Sequence, residues 1–135
     1  MTRLLDTNTC TALLRDSSAR VARNFMAAIA RDGTIGISSL VICELWYGVF
    51  KSARRQENTD RLLRFLRGPL DLVPFDAEDA RLAGEIRAEL ARTGQTIGSY
   101  DTLIAGQCLR NKLTVVTSNV AEFRRVKGLH CEDWA

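Results

Sequence analysis

The sequence contains one histidine, His130. Any mechanism that passes a proton between two imidazoles is therefore excluded, and His130 reads as a structural or exposed residue. No GxSxG elbow is present, so a Ser-His-Asp nucleophile has no support. Neither GxGxxG nor a Walker A sequence occurs, and no nucleotide cofactor is expected. Four cysteines stand at Cys10, Cys43, Cys108 and Cys131, with no CxxC pair. Cys43 and Cys108 fall in apolar stretches with helical character, and all four read as reduced. Neither a disulfide framework nor a zinc site has the spacing it needs. No apolar run approaches the roughly 18 residues of a membrane span. The start, MTRLLDTNTC, is polar too early for a signal peptide. A cytoplasmic protein without a membrane partner is the expectation.

What remains is an ordinary soluble composition. The 135 residues are 46% hydrophobic and 26% charged, with a net charge of +3. That length suits one domain, residues 1–135, with a sizeable core. The charge is too small to predict nucleic-acid binding and does not oppose it. Internal repeats and low-complexity tracts are absent.

Short apolar runs alternate with segments of helical period, which predicts an α/β fold with a mainly parallel sheet. Strands are expected at Arg3–Leu5, Ile35–Ser38, Leu70–Pro74 and Leu113–Val116, with a last one near His130. Helices are expected from Thr7 or Asn8, over Ser18–Ala30 and over Leu40–Phe50. A further helical period runs over Lys51–Arg67. Asp76 precedes an amphipathic helix through Leu82, Ile86 and Leu90, which Gly94 stops. Tyr100–Arg110 and Val120–Val126 complete the set.

Four polar residues fall near strand ends or helix starts: Asp6, Glu44, Asp101 and Asn119. In a parallel sheet the carboxyl ends of the strands form the ligand-binding edge. Each residue also has a plain structural reading. Asp6 suits a helix N-cap, and Asp101 suits the first turn of a helix, where the dipole favours an acid. Glu44 lies in the apolar run Leu40-Val41-Ile42-Cys43-Glu44-Leu45-Trp46-Tyr47. It needs a gap to solvent, a cation or a hydrogen-bonded network. Trp46 and Tyr47 read as core, with stacking on nucleobases, alongside Tyr100, as the alternative.

Taken together, the acids share one predicted edge of the sheet. Clustered carboxylates repel one another unless a cation neutralises them. All-oxygen ligands suit Mg²⁺ or Mn²⁺ rather than zinc. Such an ion polarises a phosphate and acidifies bound water, which is what phosphodiester hydrolysis requires.

Several fragments then carry a resemblance. Leu5-Asp6-Thr7-Asn8 stands near the start, and Glu44-Leu45-Trp46-Tyr47-Gly48 in the middle. Pro74-Phe75-Asp76 follows, then Ile97-Gly98-Ser99-Tyr100-Asp101-Thr102-Leu103-Ile104-Ala105. Val116-Thr117-Ser118-Asn119, Glu122-Phe123 and Glu132-Asp133-Trp134 complete the order. In this order and spacing the chain resembles PIN-domain proteins of the VapC toxin type over nearly its whole length. The resemblance implies a three-layer α/β/α fold with an acidic Mg²⁺ pocket, Mn²⁺ being the alternative ion. It implies endoribonuclease activity on structured RNA, with tRNA favoured. Asp6, Glu44 and Asp101 would be the metal-binding acids, and Asn119 would fill the fourth catalytic position. Thr7 and Thr117 would support the site by hydrogen bonding to a carboxylate or to metal-bound water. It also implies a cognate antitoxin that silences the toxin, and a homodimer.

Asn119 departs from the aspartate common at that position, which favours one tightly held ion over two. Glu122, three residues on, reads as a surface acid, with an inward turn of its helix as the alternative. Lys51, Arg54, Arg55, Arg61, Arg64 and Arg67 give one segment a basic bias. They read as a solvated face paired with Glu57 and Asp60, or alternatively as a phosphate-contacting surface or a face toward an antitoxin. Two rival functions differ in kind. A haloacid-dehalogenase-type phosphatase needs a second acid where Asn8 stands. A catalytically inactive PIN-like module would bind RNA or protein without cleaving.

Overall fold

Aliphatic and β-branched residues make the three central strands, and water is excluded from nearly all of their surface. Leu4, Leu5, Ile35, Ile37, Val115 and Val116 are all buried. The computed structural model describes residues 1–135. β1 is Arg3–Leu5, followed by α1 (Thr7–Arg15) and α2 (Ala19–Asp32). β2 (Ile35–Ser38) leads into α3 (Ser39–Lys51) and α4 (Arg55–Leu66). β3 (Leu70–Val73) is followed by α5 (Ala77–Arg92) and α6 (Ser99–Asn111). β4 (Thr114–Val116), α7 (Val120–Phe123) and β5 (Cys131–Glu132) close the order. No helix is long and apolar enough to cross a membrane.

The sheet order is β3-β2-β1-β4-β5, and every pairing is parallel. The expected sheet, mainly parallel, is thus wholly so. From β1 the chain steps outward through β2 to β3, then returns to the other side of β1 for β4. Right-handed crossovers place the helices of these two excursions on opposite faces of the sheet. The α/β/α layering follows. The reversal falls between β1 and β4, which is the switch point where open α/β sheets bind ligands.

Helix starts follow local chemistry. Asp6, Ser18, Ser38 and Asp76 each cap a helix through a side-chain oxygen. At α5 the cap is reciprocal: Asp76 accepts from the Asp79 N–H, and Asp79 accepts from the Asp76 N–H. Asp79 is fully buried and also accepts from Arg110 at 3.2 Å and Asn111 at 3.3 Å.

Three expectations are corrected. The helical period over Lys51–Arg67 is broken, because Ser52 adopts extended backbone and its hydroxyl donates to the Val49 carbonyl at 2.7 Å. α4 therefore begins only at Arg55. The helix expected to reach Val126 ends at Phe123. Tyr47 is not core but 65% exposed, and Trp46 is half-buried and stacked on Phe50 with centroids 5.6 Å apart. The four cysteines are free thiols.

α5 and α6 approach unusually closely at Gly106. A Cβ there would sit 2.7–2.8 Å from the backbone nitrogen, Cα and Cβ of Ala83. Backbone atoms cannot yield as a flexible side chain does. Gly106→Ala should push α5 off α6 and cost about 1–3 kcal/mol, read as a lower urea midpoint with an unchanged slope.

Candidate active site

Asp6 is fixed from two sides. Its N–H donates to the Val116 carbonyl at 3.0 Å, hanging it on β4. Its Oδ1 accepts the Thr9 N–H at 2.8 Å, capping α1. Thr9 in turn donates its hydroxyl to the same Val116 carbonyl at 3.2 Å. The cap and the strand ladder thus hold one carboxylate oxygen and leave Oδ2 without a protein donor. The N-terminal end of α1 favours negative charge there.

Beneath Asp6 lies Cys10. Burial, and then the Asp6 charge, push its thiol well above the ordinary range. Cys10 therefore stays protonated and supplies neither a nucleophile nor a thiolate ligand. Cys108, across the sheet, is pushed up to about 12 by burial and by Asp79.

Glu44 is half-buried on α3 and accepts the Thr7 hydroxyl at 2.6 Å. Of the readings open to it, the structure supplies the hydrogen-bonded one. Thr7 is the first residue of α1, so this bond ties Glu44 to the residue after Asp6. Asp101 lies in the first turn of α6 and is half-buried. Burial raises its carboxyl above the ordinary range, and the charges of Asp6, Glu122 and Glu44 push the same way. A hydrogen bond from Asn119 opposes them. That bond runs from the Asn119 amide nitrogen to Asp101 Oδ2 at 3.3 Å. The same nitrogen donates a short hydrogen bond to Glu122. Thr117 is fully buried, and its hydroxyl oxygen accepts the Asn119 N–H at 2.9 Å.

The sequence-predicted residues are thus brought to one end of the sheet, with two changes of part. Asn119 does not offer its amide oxygen to the pocket; it turns its NH₂ between two acids that would otherwise repel. Thr117 holds the Asn119 backbone rather than a carboxylate. Glu122, expected at the surface, turns inward and joins the acids. Its spacing of three from Asn119 on one helical face was the available signal.

None of the ion pairs in the chain involves Asp6, Glu44, Asp101 or Glu122. Four carboxylates are the all-oxygen donor set that a hard divalent ion takes. They are not drawn into a cage: no three His, Cys, Asp or Glu side chains already form a group that could hold a metal ion. Like charges without a counter-ion stand apart, so the residues fit Mg²⁺ by chemistry, with closure left to the ion.

Residues 3–129 match the family model described as PIN domain. The chain belongs to the PIN domain family. It is 39% identical over 132 residues to the tRNA(fMet)-specific endonuclease VapC of Shigella flexneri, covering 98% of this chain and 97% of that protein. It is 37% identical over 134 residues to Ribonuclease VapC2 of Rickettsia felis, covering 99% and 98%. Among solved structures, VapBC2 from Rickettsia felis bound to a DNA fragment from its promoter superposes with a TM-score of 0.91 at 36% identity, over the full length of both chains.

The raised Asp101 carboxyl sets a sign for stability. In the folded chain Asp101 holds its proton to higher pH than in the unfolded chain. Its contribution is therefore fully present below the unfolded value and is lost as pH rises through the folded one. Asp101→Asn removes that loss. Its Tm should exceed that of the parent by a few degrees at pH 7 without metal, and the gap should close as pH falls below the ordinary carboxylate range. Thermal melts across pH test this; a gap that widens toward acid would contradict it.

Proposed function

We propose that this ribonuclease is a Mg²⁺-dependent endonuclease that cuts structured RNA, tRNA first among its substrates. It acts as the toxin of a toxin–antitoxin pair, with residues 1–135 working as one nuclease unit in the cytoplasm. The observation that carries the reading is the set of four uncompensated carboxylates at the switch point of the sheet. The relatives support the substrate class, and the VapBC complex supports an antitoxin partner.

Asp6, Glu44 and Asp101 would hold the ion, which supplies positive charge for the phosphate and acidity for a water. Thr7 keeps Glu44 in one rotamer by donating its hydroxyl. Thr117 fixes the backbone of Asn119, and Asn119 spaces Asp101 from Glu122. Glu122 adds the charge that asparagine lacks at the fourth position. One ion rather than two remains the reading, since Asn119 faces the acids with its NH₂. Hydrolysis then breaks a P–O bond as water adds to phosphorus, and water supplies the proton for the departing oxygen. A homodimer belongs to the same reading. Tyr47 and Phe50, exposed on one face of α3, offer apolar surface for it.

Purified protein incubated with total tRNA should yield discrete fragments with Mg²⁺ and none with EDTA. Asp101→Asn should lower the cleavage rate by about 10²-fold or more, as removal of an electrostatic catalytic group does. Full activity in Asp101→Asn would sink the site assignment. RNA binding without any cleavage would point instead to the inactive module.

A further inference from the structure

One cleft opens from the acidic site toward cations that the reaction does not use. It has a volume of about 340 Å³ and lies between α1, α3 and α4. Thr7, Thr11 and Glu44 line it together with Arg15, Lys51 and Arg61. Along α1, Arg15 lies eight residues beyond Thr7, or about 12 Å at 1.5 Å per residue. Along α3, Lys51 lies seven residues beyond Glu44, or about 10 Å.

The plain account of Arg15 and Lys51 is that each closes a helix, where a cation suits the dipole. It does not cover Arg61, which sits in the interior of α4 yet lines the same cleft. Three helices thus contribute one cation each to a single cleft. Arg15 and Lys51 have no carboxylate partner, and Lys51 lies 5.0 Å over the Tyr47 ring. Arg61 reaches only Glu57, at 3.5 Å, and Arg54 competes for the same carboxylate at 3.5 Å. Arg54, Arg55, Arg64 and Arg67 do not line the cleft.

We infer that Arg15, Lys51 and Arg61 form a phosphate-binding subsite for single-stranded RNA leading away from the scissile bond. This rests on the ribonuclease reading, because it takes the acids as the place where the strand is cut. A polyanion crossing four carboxylates is repelled there and must be held nearby. This cleft is continuous with Glu44 and carries the compensating charge. At a rise of about 3.4 Å per stacked nucleotide, those helix lengths set Arg15 and Lys51 roughly three nucleotides along from Thr7 and Glu44. The basic bias of the 51–67 segment thereby divides. Lys51 and Arg61 belong to the subsite with Arg15 from another helix, and the remaining arginines are a solvated face.

The test is fluorescence anisotropy of labelled single-stranded RNA in EDTA, with a dinucleotide and a hexanucleotide. The parent should bind the hexamer more tightly than the dimer. The triple variant Arg15→Gln, Lys51→Gln, Arg61→Gln should lose most of that gain, weakening hexamer binding by roughly tenfold or more. Its salt slope should fall by about 2, as expected for three lost phosphate contacts on a single strand. Arg55→Ala with Arg64→Ala should keep both affinity and slope. The subsite is overturned by a parent that gains nothing from the longer strand, a triple variant with parental affinity and slope, or an equal loss in the control pair. A triple variant that loses an acidic peptide while keeping RNA would assign the cleft to protein instead, and also overturns it. Metal-dependent cleavage by the parent is scored separately. Its absence would remove the ribonuclease reading while leaving the binding result to judge the cleft.

Discussion

Four carboxylates share the carboxyl edge of the sheet with no cation among them, and much of the surrounding structure serves to keep them there. Left to themselves they would swing outward into water, where repulsion is weak. Each is instead restrained by a neutral donor. The Thr9 N–H holds Asp6, the Thr7 hydroxyl holds Glu44, and the Asn119 amide stands between Asp101 and Glu122. Neutral donors orient a carboxylate without cancelling its charge, so the pocket keeps its attraction for an ion. An arginine in any of these places would have made a sturdier protein and a blocked site. The raised carboxyl of Asp101 records what this restraint costs the chain when no ion is present.

Much of this was legible from residue order. The strands at Arg3–Leu5 and Ile35–Ser38 have the expected bounds, because alternation of apolar runs with turn signals is a local property. Ser38 and Asp76 cap helices as their types suggest. Position along the chain also named Asp6, Glu44, Asp101 and Asn119, but their contacts are set by tertiary geometry. Nothing local says that Asn119 presents nitrogen rather than oxygen, or that Glu122 turns inward. Those outcomes depend on which charges lie opposite, and the opposing residues come from α3 and α6. Tyr47 misled for a related reason: an apolar run on a helix does not say how many of its sides are covered.

Charge is also graded along the molecule. Acids lie where α1 and α3 begin or pass the sheet edge, and cations lie where those helices end. Both helices directly follow neighbouring parallel strands of one sheet. A net charge of +3 conceals this arrangement, since the total says nothing of how the charges are ordered in space.

The strand that carries Asp6 has both of its neighbours elsewhere in the sequence. β1 pairs with β2 some thirty residues on, and Leu4 pairs with Val115 on β4. β4 in turn leans on β5 through the Thr117 N–H to the Glu132 carbonyl. During synthesis Asp6 and Glu44 appear early, but the strand on which Asp6 hangs does not yet exist. Contacts of such long range form late and slowly. A growing chain that has passed Glu44 but not Asp101 holds half of the acids and no pocket to gather them. The parallel topology that assembles the centre therefore also delays it, and a partly made nuclease has no means to cut the RNA around it.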